Sequence, residues 1–194
     1  MQNGGAAAAT TSHRLRFGTA SELFEAFPTA GEDIAAAPAD RPSLDFMADL
    51  VAGPTPEDGI TFCAYLLPHR EAVWWAHQCL DGVAQLLSPE DQHLLSLAEA
   101  WVRYPEEDQR CAVLDAGMAA PSKTPAVWIA LAAGWSGGSM LPRDAVSPVE
   151  APPYLTPKAA NAGVLSALAR VDRKSRAATL KQFVNMAVQL LTRR

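Results

Sequence analysis

The sequence predicts an all-α fold, a single bundle of about eight or nine helices, and two observations support this prediction. First, four segments place a hydroxyl side chain directly before a proline: Thr55-Pro56, Ser88-Pro89, Thr124-Pro125 and Thr156-Pro157. A hydroxyl accepts a hydrogen bond from the free N–H groups of a first helical turn, and proline at the first helical position loses no needed donor. Second, apolar residues recur at helical spacing, and no segment alternates as a strand does.

The predicted helices follow this punctuation along the chain. Their spans are 20–27, 43–52, 56–66, 69–87, 89–103, 106–119, 125–135, 157–171 and 174–192. Pro105 follows the helix at 89–103 and prevents its continuation. The final helix has the clearest apolar stripe, which is formed by Leu180, Phe183, Val184, Ala187, Val188 and Leu191.

One Pro/Gly-rich loop interrupts the helical domain. Residues 1–18 are rich in Gly, Ala and Thr and are expected to be disordered, so the domain spans 19–194. Within it, glycines end a helix and four prolines prevent another from starting over residues 136–156. This loop is either a linker before a C-terminal helical hairpin or an ordered strap across the bundle. Its apolar residues favour the strap; they are Met140, Leu141, Tyr154 and Leu155.

The composition indicates a cytoplasmic protein with one sizeable core. The 194 residues are 49% hydrophobic and 19% charged, which excludes a disordered chain. No stretch approaches the roughly 18 to 20 apolar residues of a membrane span, and no apolar region typical of a signal peptide follows Arg14 and Arg16. The three cysteines lie in apolar, helix-like segments, as reduced cysteines usually do.

Charge is divided unevenly along the chain. Residues 1–169 hold 9 Lys/Arg against 20 Asp/Glu, whereas residues 170–194 hold 7 Lys/Arg against Asp172 alone. The basic residues either complement the dipole of the last helix and keep its outer face solvated, or Arg173, Lys174 and Arg176 contact an acidic partner. Nucleic-acid binding is not expected, because no recognition-helix pattern or stacking aromatics accompany them. A homo-oligomer held by complementary charge stays an alternative.

Possible ligands and nucleophiles are densest at the start of the helix at 69–87. They are His69, Glu71, His77 and Cys79. His69 and His77 lie roughly 12 Å apart by helical rise, which is too far to share a metal ion. The cysteines at 63, 79 and 111 fall mid-helix among aliphatic residues, where a thiol is inert. The sequence therefore predicts no metal, no cofactor and no catalytic residue.

Candidate contact residues cluster at three places. The first is the helix start that holds Arg70, Glu71, Trp74 and Trp75; the second is the loop that holds Trp135, Gly137 and Gly138; the third is the basic last helix. Adjacent tryptophans on a helix point about 100° apart, so one can lie in the core while the other reaches the surface. The tryptophans either fill space in an Ala-rich bundle, or an exposed one anchors a partner.

Several segments, taken in order, resemble a known family. They are Pro68 to Ala76 with the string REAVWWA, Ala98 to Val102, Trp128 to Ser139 with the string WSGGS, and Pro152 to Thr156. This order resembles a family of small bacterial proteins catalogued as a domain of unknown function, over residues 20–192. Members are often encoded near type VI secretion spike and PAAR-type genes. The resemblance implies an accessory role in spike–effector assembly and assigns no catalytic residue.

These observations and the resemblance lead to the hypothesis of a non-enzymatic interaction protein. It would serve a type VI secretion system as an adaptor or chaperone, with a spike, PAAR-type or effector protein as its partner. An alternative is an immunity or regulatory protein that neutralises a toxin encoded nearby, since an acidic surface suits a basic toxin. A third hypothesis is an enzyme, which requires titratable groups that converge in one pocket.

Overall fold

Ten α-helices and no strand make up the computed structural model, which describes residues 15–193. The helices are α1 (Ala20–Ala26), α2 (Ala30–Asp33), α3 (Ser43–Ala52), α4 (Glu57–Leu66), α5 (His69–Asp81), α6 (Pro89–Arg103), α7 (Glu107–Ala119), α8 (Pro125–Gly134), α9 (Leu155–Arg170) and α10 (Arg173–Thr192). The predicted all-α class is confirmed. Most of the predicted disordered segment, residues 1–14, lies outside the described residues. Of the remainder, Leu15 and Phe17 pack against the hydrophobic core.

Two of the four predicted helix caps are present. Ser88 Oγ accepts a hydrogen bond from the N–H of Asp91, the third residue of α6, and Thr124 Oγ1 accepts one from the N–H of Val127, the third residue of α8. The other two predictions are wrong. At α4 no side chain caps the helix, because Pro56 occupies the cap position instead of Thr55. At α9 the helix begins before Thr156, whose buried hydroxyl instead donates to Ala132 O on α8.

The predicted helix 69–87 is shorter than its apolar stripe suggested. Helix α5 ends at Asp81, and the N–H of Gly82 closes its last turn on Gln78 O. Glycine costs about 1 kcal/mol relative to alanine inside a helix, so the chain leaves the helix here. Val83 departs from the helical conformation, with φ −129° and ψ 29°, and residues Ala84–Leu86 form a separate 3-10 turn. Helix α2 was not predicted, because its four residues are too few to show a helical apolar stripe.

Helix α8 lies at the centre of the bundle, in contact with α5, α6, α7 and α9. It is apolar on every side, as buried helices are, and Trp128 is its one residue that is not buried. At ten residues it is short, and within residues 15–193 no helix combines the length and apolar character needed to cross a membrane.

Glycines let the central helices approach closely. A Cβ on Gly134 of α8 would lie 2.9 Å from Leu114 Cα on α7. A Cβ on Gly163 of α9 would overlap Ile129 Cδ1 and lie 3.0 Å from Pro125 O on α8. The Ala-rich composition therefore reflects helix backbones that pack without room for larger side chains.

Aromatic rings attach the N-terminal helices to α4. Phe24 of α1 and Phe46 of α3 meet edge to face, with ring centroids 6.1 Å apart. Phe62 of α4 packs against both rings, at 5.2 Å from Phe46 and 6.4 Å from Phe24. This cluster fixes α3 beside α4, which matters below because α3 forms one wall of a surface groove.

The loop between α8 and α9 is a strap and not a linker. Its two arms pair through the hydrogen bonds from Met140 N to Val149 O and from Ala151 N to Gly138 O. Trp135 Nε1 at the end of α8 donates to Met140 O. The helices on either side, α8 and α9, pack directly against each other in the same hydrophobic core. We refer to residues 136–154 as the strap.

Candidate functional site

A surface groove of about 470 Å³ opens between α5 and α6. Arg70, Glu71 and Trp74 line it from the first two turns of α5, where Arg70 and Trp74 share one face because they are four residues apart. The end of α6 forms the other wall with Glu99, Val102 and Arg103. We call this the Trp74 groove. It contains three of the residues that the sequence singled out.

Hydrogen bonds hold the two helices of this groove in place. Arg70 Nε donates to Val102 O at 2.7 Å, so a side chain of α5 satisfies a carbonyl in the last turn of α6. Arg103 pairs with Glu99 at 2.7 Å, one helical turn away. Glu71 is exposed and forms no ion pair with any of residues 15–193. The groove therefore offers one free carboxylate beside an aromatic ring.

Trp74 stands between two cavities. Its indole stacks on the imidazole of His77, with ring centroids 5.3 Å apart and planes 14° from parallel. It also lines a second cavity of about 130 Å³ with residues of α10, among them Met186 and Leu190. Trp74 is half-buried, so the His77 stack fixes a ring that is still accessible from outside.

His77 supports the ring as a neutral side chain. Burial lowers the pKa of His77 because the charged imidazolium loses its hydration, and the nearby carboxylates of Glu99 and Asp81 oppose this effect without overcoming it. Its Nδ1 is buried and has no hydrogen-bond partner among the described residues. The stack therefore involves an uncharged ring at neutral pH.

Trp75, predicted as a contact residue beside Trp74, is fully buried. Its side chain has 0% exposure, and its Nε1 donates to Phe183 O of α10 at 2.8 Å. The prediction that one of the two tryptophans lies in the core is confirmed, but Trp75 cannot meet a partner in this fold. It locks α5 to α10 and leaves Trp74 as the surface member of the pair.

The residues predicted in the loop after α8 have mainly structural roles. Trp135 is half-buried and donates to the strap. Gly138 has φ +62°, and a Cβ there would lie 3.1 Å from Arg110 Nη2, so glycine is required on both counts. Gly137 is exposed with open space around it. Of these three residues, only Gly137 is free of such a role.

Arg110 holds the strap to the bundle and was not anticipated from the sequence. Only 5% of this residue is exposed. Its guanidinium donates hydrogen bonds to Gly134 O, to Ser139 O and to the Glu107 carboxylate. These bonds to Glu107 raise the pKa of Arg110 and lower that of the Glu107 carboxyl. The string EEDQR gave no sign of this role, because the two carbonyls that Arg110 binds, Gly134 O and Ser139 O, lie more than twenty residues further along the chain.

His69 makes a second link between the strap and the bundle, at the start of α5. Its Nδ1 lies 3.0 Å from Ser136 O at the start of the strap, while its own residue begins α5. The string WSGGS and the helix start at Pro68 are therefore neighbours in the fold. Sequence spacing alone gave no indication of this contact across 67 residues.

Two of the basic residues predicted to make contacts lie at the N-terminus of the last helix. Arg173 and Lys174 belong to the first turn of α10, and the last turn contains no basic residue. For Arg173 and Lys174 the prediction that the cations complement the dipole of this helix is wrong, because the N-terminal end of a helix is its positive end. Both residues are exposed, in agreement with the prediction of a solvated outer face. Arg176 is half-buried and donates to Ala169 O and Val171 O, so it caps the end of α9.

The residues considered for metal binding and nucleophilic catalysis lie apart. All three cysteines are buried, and burial raises the pKa of Cys63 and of Cys79. Over residues 15–193 no three His, Cys, Asp or Glu side chains gather closely enough to hold a metal ion. His69, Glu71, His77 and Cys79 share α5 but not one cavity: His77 and Cys79 are buried, whereas Glu71 is exposed.

Comparison with known proteins returns one match. A family model described as a family of unknown function (DUF6931) matches residues 46–191. This range begins within α3 and ends within α10, so it includes both walls of the Trp74 groove and the strap. No curated protein and no solved structure matches the chain.

Proposed function

We propose that this chain, which belongs to the family of unknown function DUF6931, is a non-enzymatic interaction protein. In this proposal it acts in the cytoplasm as an accessory adaptor or chaperone for the assembly of a type VI secretion spike and its effector. The observation that carries the binding role is the placement of Trp74: a half-buried indole, fixed by a stack on His77, between two cavities on the surface.

A tryptophan held in this way suits the centre of a protein interface. Tryptophan is among the residues that carry most of the free energy of association, especially where the groups that surround it exclude water. Around Trp74 these groups are Arg70, Glu71, Glu99 and Arg103. Because Arg70 and Arg103 already have partners in the fold, Glu71 is the charged group most available to a partner, and a basic residue would complement it.

The assignment to type VI secretion rests on the resemblance of the segments around REAVWWA and WSGGS to proteins encoded near spike genes. The expected partner is a spike, PAAR-type or effector protein encoded beside this chain. An adaptor needs a stable, specific surface and no chemistry of its own. The hydrogen bonds that join α5, α6 and the strap give the Trp74 groove this stability.

The test is co-purification of the tagged full chain with each spike, PAAR-type and effector protein encoded near its gene. We expect Trp74→Ala and Glu71→Lys each to reduce recovery of one partner at least tenfold. The matched control is Trp128→Ala, since Trp128 is also half-buried but does not line the Trp74 groove. Folded Trp74→Ala protein that recovers every partner as well as the unchanged chain does would refute the surface assignment.

Deletion of the gene separates the adaptor from the immunity alternative. An adaptor promotes delivery, so its loss should abolish secretion of the effector and leave the producing cell unharmed. An immunity protein gives the opposite result, since its loss would expose the cell to a neighbouring toxin and its expression would restore growth.

A further inference from the structure

A second groove runs along α10, separate from the Trp74 groove. Helices α3 and α10 both pack against α4, and two adjoining cavities lie between them. The cavities measure about 420 and 240 Å³, and they share Val51 and Lys181. We call this the α3–α10 groove. It has no lining residue in common with the Trp74 groove.

The two ends of the α3–α10 groove differ in chemistry. One end is mostly aliphatic and is lined by Leu44, Met47, Ala48, Val51, Val184 and Val188, together with Asn185. The other end carries the cations Arg173, Arg176 and Lys181, with one acid, Glu57. None of these three cations forms an ion pair with any of residues 15–193. The basic end therefore has excess positive charge.

This positive charge is placed unfavourably for the isolated fold. Arg173 and Lys174 lie in the first turn of α10, where the helix dipole repels cations, and Asp172 is the one acid nearby in sequence. Arg176 donates two hydrogen bonds to carbonyls at the end of α9, but its Nε is buried without a partner among the described residues. An acidic group bound at this end would offset the repulsion between these cations and the helix dipole.

We propose that the α3–α10 groove binds an amphipathic helix of a partner protein, with the helix's acidic end beside Arg173 and Lys181 and its aliphatic stripe against the apolar end. From Arg173 to Val188 α10 rises roughly 22 Å, which matches a partner helix of about four turns. Apolar side chains spaced three and four residues apart would enter the groove, as helices do in such sites. This inference stands whether or not the partner belongs to a secretion system.

Charge complementarity favours this occupant over two others. The chain's own residues 1–14 include Arg14 and no acid, so they do not complement the basic end. A membrane surface would also attract cations, but the apolar residues here form the walls of a channel between two helices instead of a projecting face. A peptide helix fits such a channel.

The test is a binding selection with the full chain as the target. The display library contains 18-residue helical peptides composed of Leu, Ala, Glu, Gln and Lys. We expect enriched peptides to combine an aliphatic stripe with at least two Glu at one end. For a winning synthetic peptide, Ala48→Glu and Lys181→Glu should each weaken the measured Kd at least tenfold. Replacement of its end Glu residues by Gln should do the same.

Controls match each change. Ala48 is exposed, so Ala48→Glu should fold, and Ala112→Glu introduces the same change at an exposed position of α7 outside the groove. Lys123→Glu matches the charge reversal of Lys181→Glu away from both grooves. Both controls should keep the Kd within twofold. Trp74→Ala should also leave this Kd unchanged, so the failure of one surface is distinguishable from the failure of the other.

Four outcomes would overturn the proposal. They are the absence of enriched peptides, enrichment of basic or non-amphipathic ones, binding that Ala48→Glu and Lys181→Glu leave unchanged, and occupation of the groove by something else. For the last outcome, light scattering would show a dimer that Ala48→Glu dissociates. Alternatively, vesicles of phosphatidylglycerol would bind the chain in a Lys181-dependent manner while no peptide does.

Discussion

Truncation of the two adjacent tryptophans should have very different effects on stability. Trp75 has 0% exposure and donates from Nε1 to Phe183 O, so Trp75→Ala leaves a cavity and removes a hydrogen bond between α5 and α10. Such a truncation costs about 3–5 kcal/mol, a large part of the 5–15 kcal/mol that stabilises a typical domain. Trp75→Phe keeps most of the ring and should cost about 2 kcal/mol, of which the hydrogen bond contributes about 1.

Trp74→Ala should cost much less. The half-buried ring loses its stack on His77, and aromatic pairs of this kind contribute about 0.5–1.5 kcal/mol beyond their buried area. We therefore expect a loss of about 1–2 kcal/mol, which leaves a folded protein for binding assays. The difference between the two alanine variants should be about 1–4 kcal/mol, with the larger loss for Trp75→Ala.

Urea unfolding measures this difference directly. Far-UV circular dichroism is the appropriate probe, because it reports the helices and does not depend on the tryptophan that each variant lacks. The three variants and the unchanged chain are compared at equal concentration, and the midpoints are converted to free energies of unfolding with a common slope. Equal losses for Trp74→Ala and Trp75→Ala, or a larger loss for Trp74→Ala, would show that the assignment of core and surface is wrong.

Three further predictions test the packing and the strap. Arg110→Met should lower the free energy of unfolding by about 2–4 kcal/mol and speed protease cleavage of the strap, because the carbonyls of Gly134 and Ser139 lose their donor. An unchanged rate of cleavage would refute the anchoring role. His77 has a pKa below its ordinary value, so the unfolded state binds the extra proton first, and stability should fall as pH drops below about 6.5. His77→Gln should flatten that part of the pH profile, and an unchanged slope would assign it to other groups. Gly134→Ala should cost about 1–3 kcal/mol, because the new Cβ would meet the α7 backbone, whereas Gly117→Ala meets only side chains and should cost less in the same urea titration.

Local features of the sequence predicted most of the helices. The spans at 43–52 and 89–103 coincide with α3 and α6, because an apolar stripe and a terminating residue act within a few turns of the chain. The caps at Ser88 and Thr124 follow from the same local logic. Prediction from the sequence was less accurate where a tertiary hydrogen bond competes with the cap. The hydroxyl of Thr156, for example, donates to a carbonyl of another helix instead of capping its own.

The tertiary structure decided which residues are available for contact. Helical geometry requires that Trp74 and Trp75 point apart, but only the position of α10 determines that Trp75 is the one buried, through a bond to a residue 108 positions away. Arg110 was invisible as an anchor for the same reason, since its carbonyl acceptors belong to the end of α8 and the strap.

The sequence by itself determined the fold class, most helix boundaries, the excess of tryptophan and the unequal division of charge. These properties depend on composition and on spacing within one or two turns. Both grooves were decided by the tertiary structure alone, because the residues that line each one meet only after folding: Arg70 of α5 with Val102 of α6, and α3 with α10. The physical reason is that a groove is the space left between packed helices, and packing is set by contacts between residues far apart in the chain.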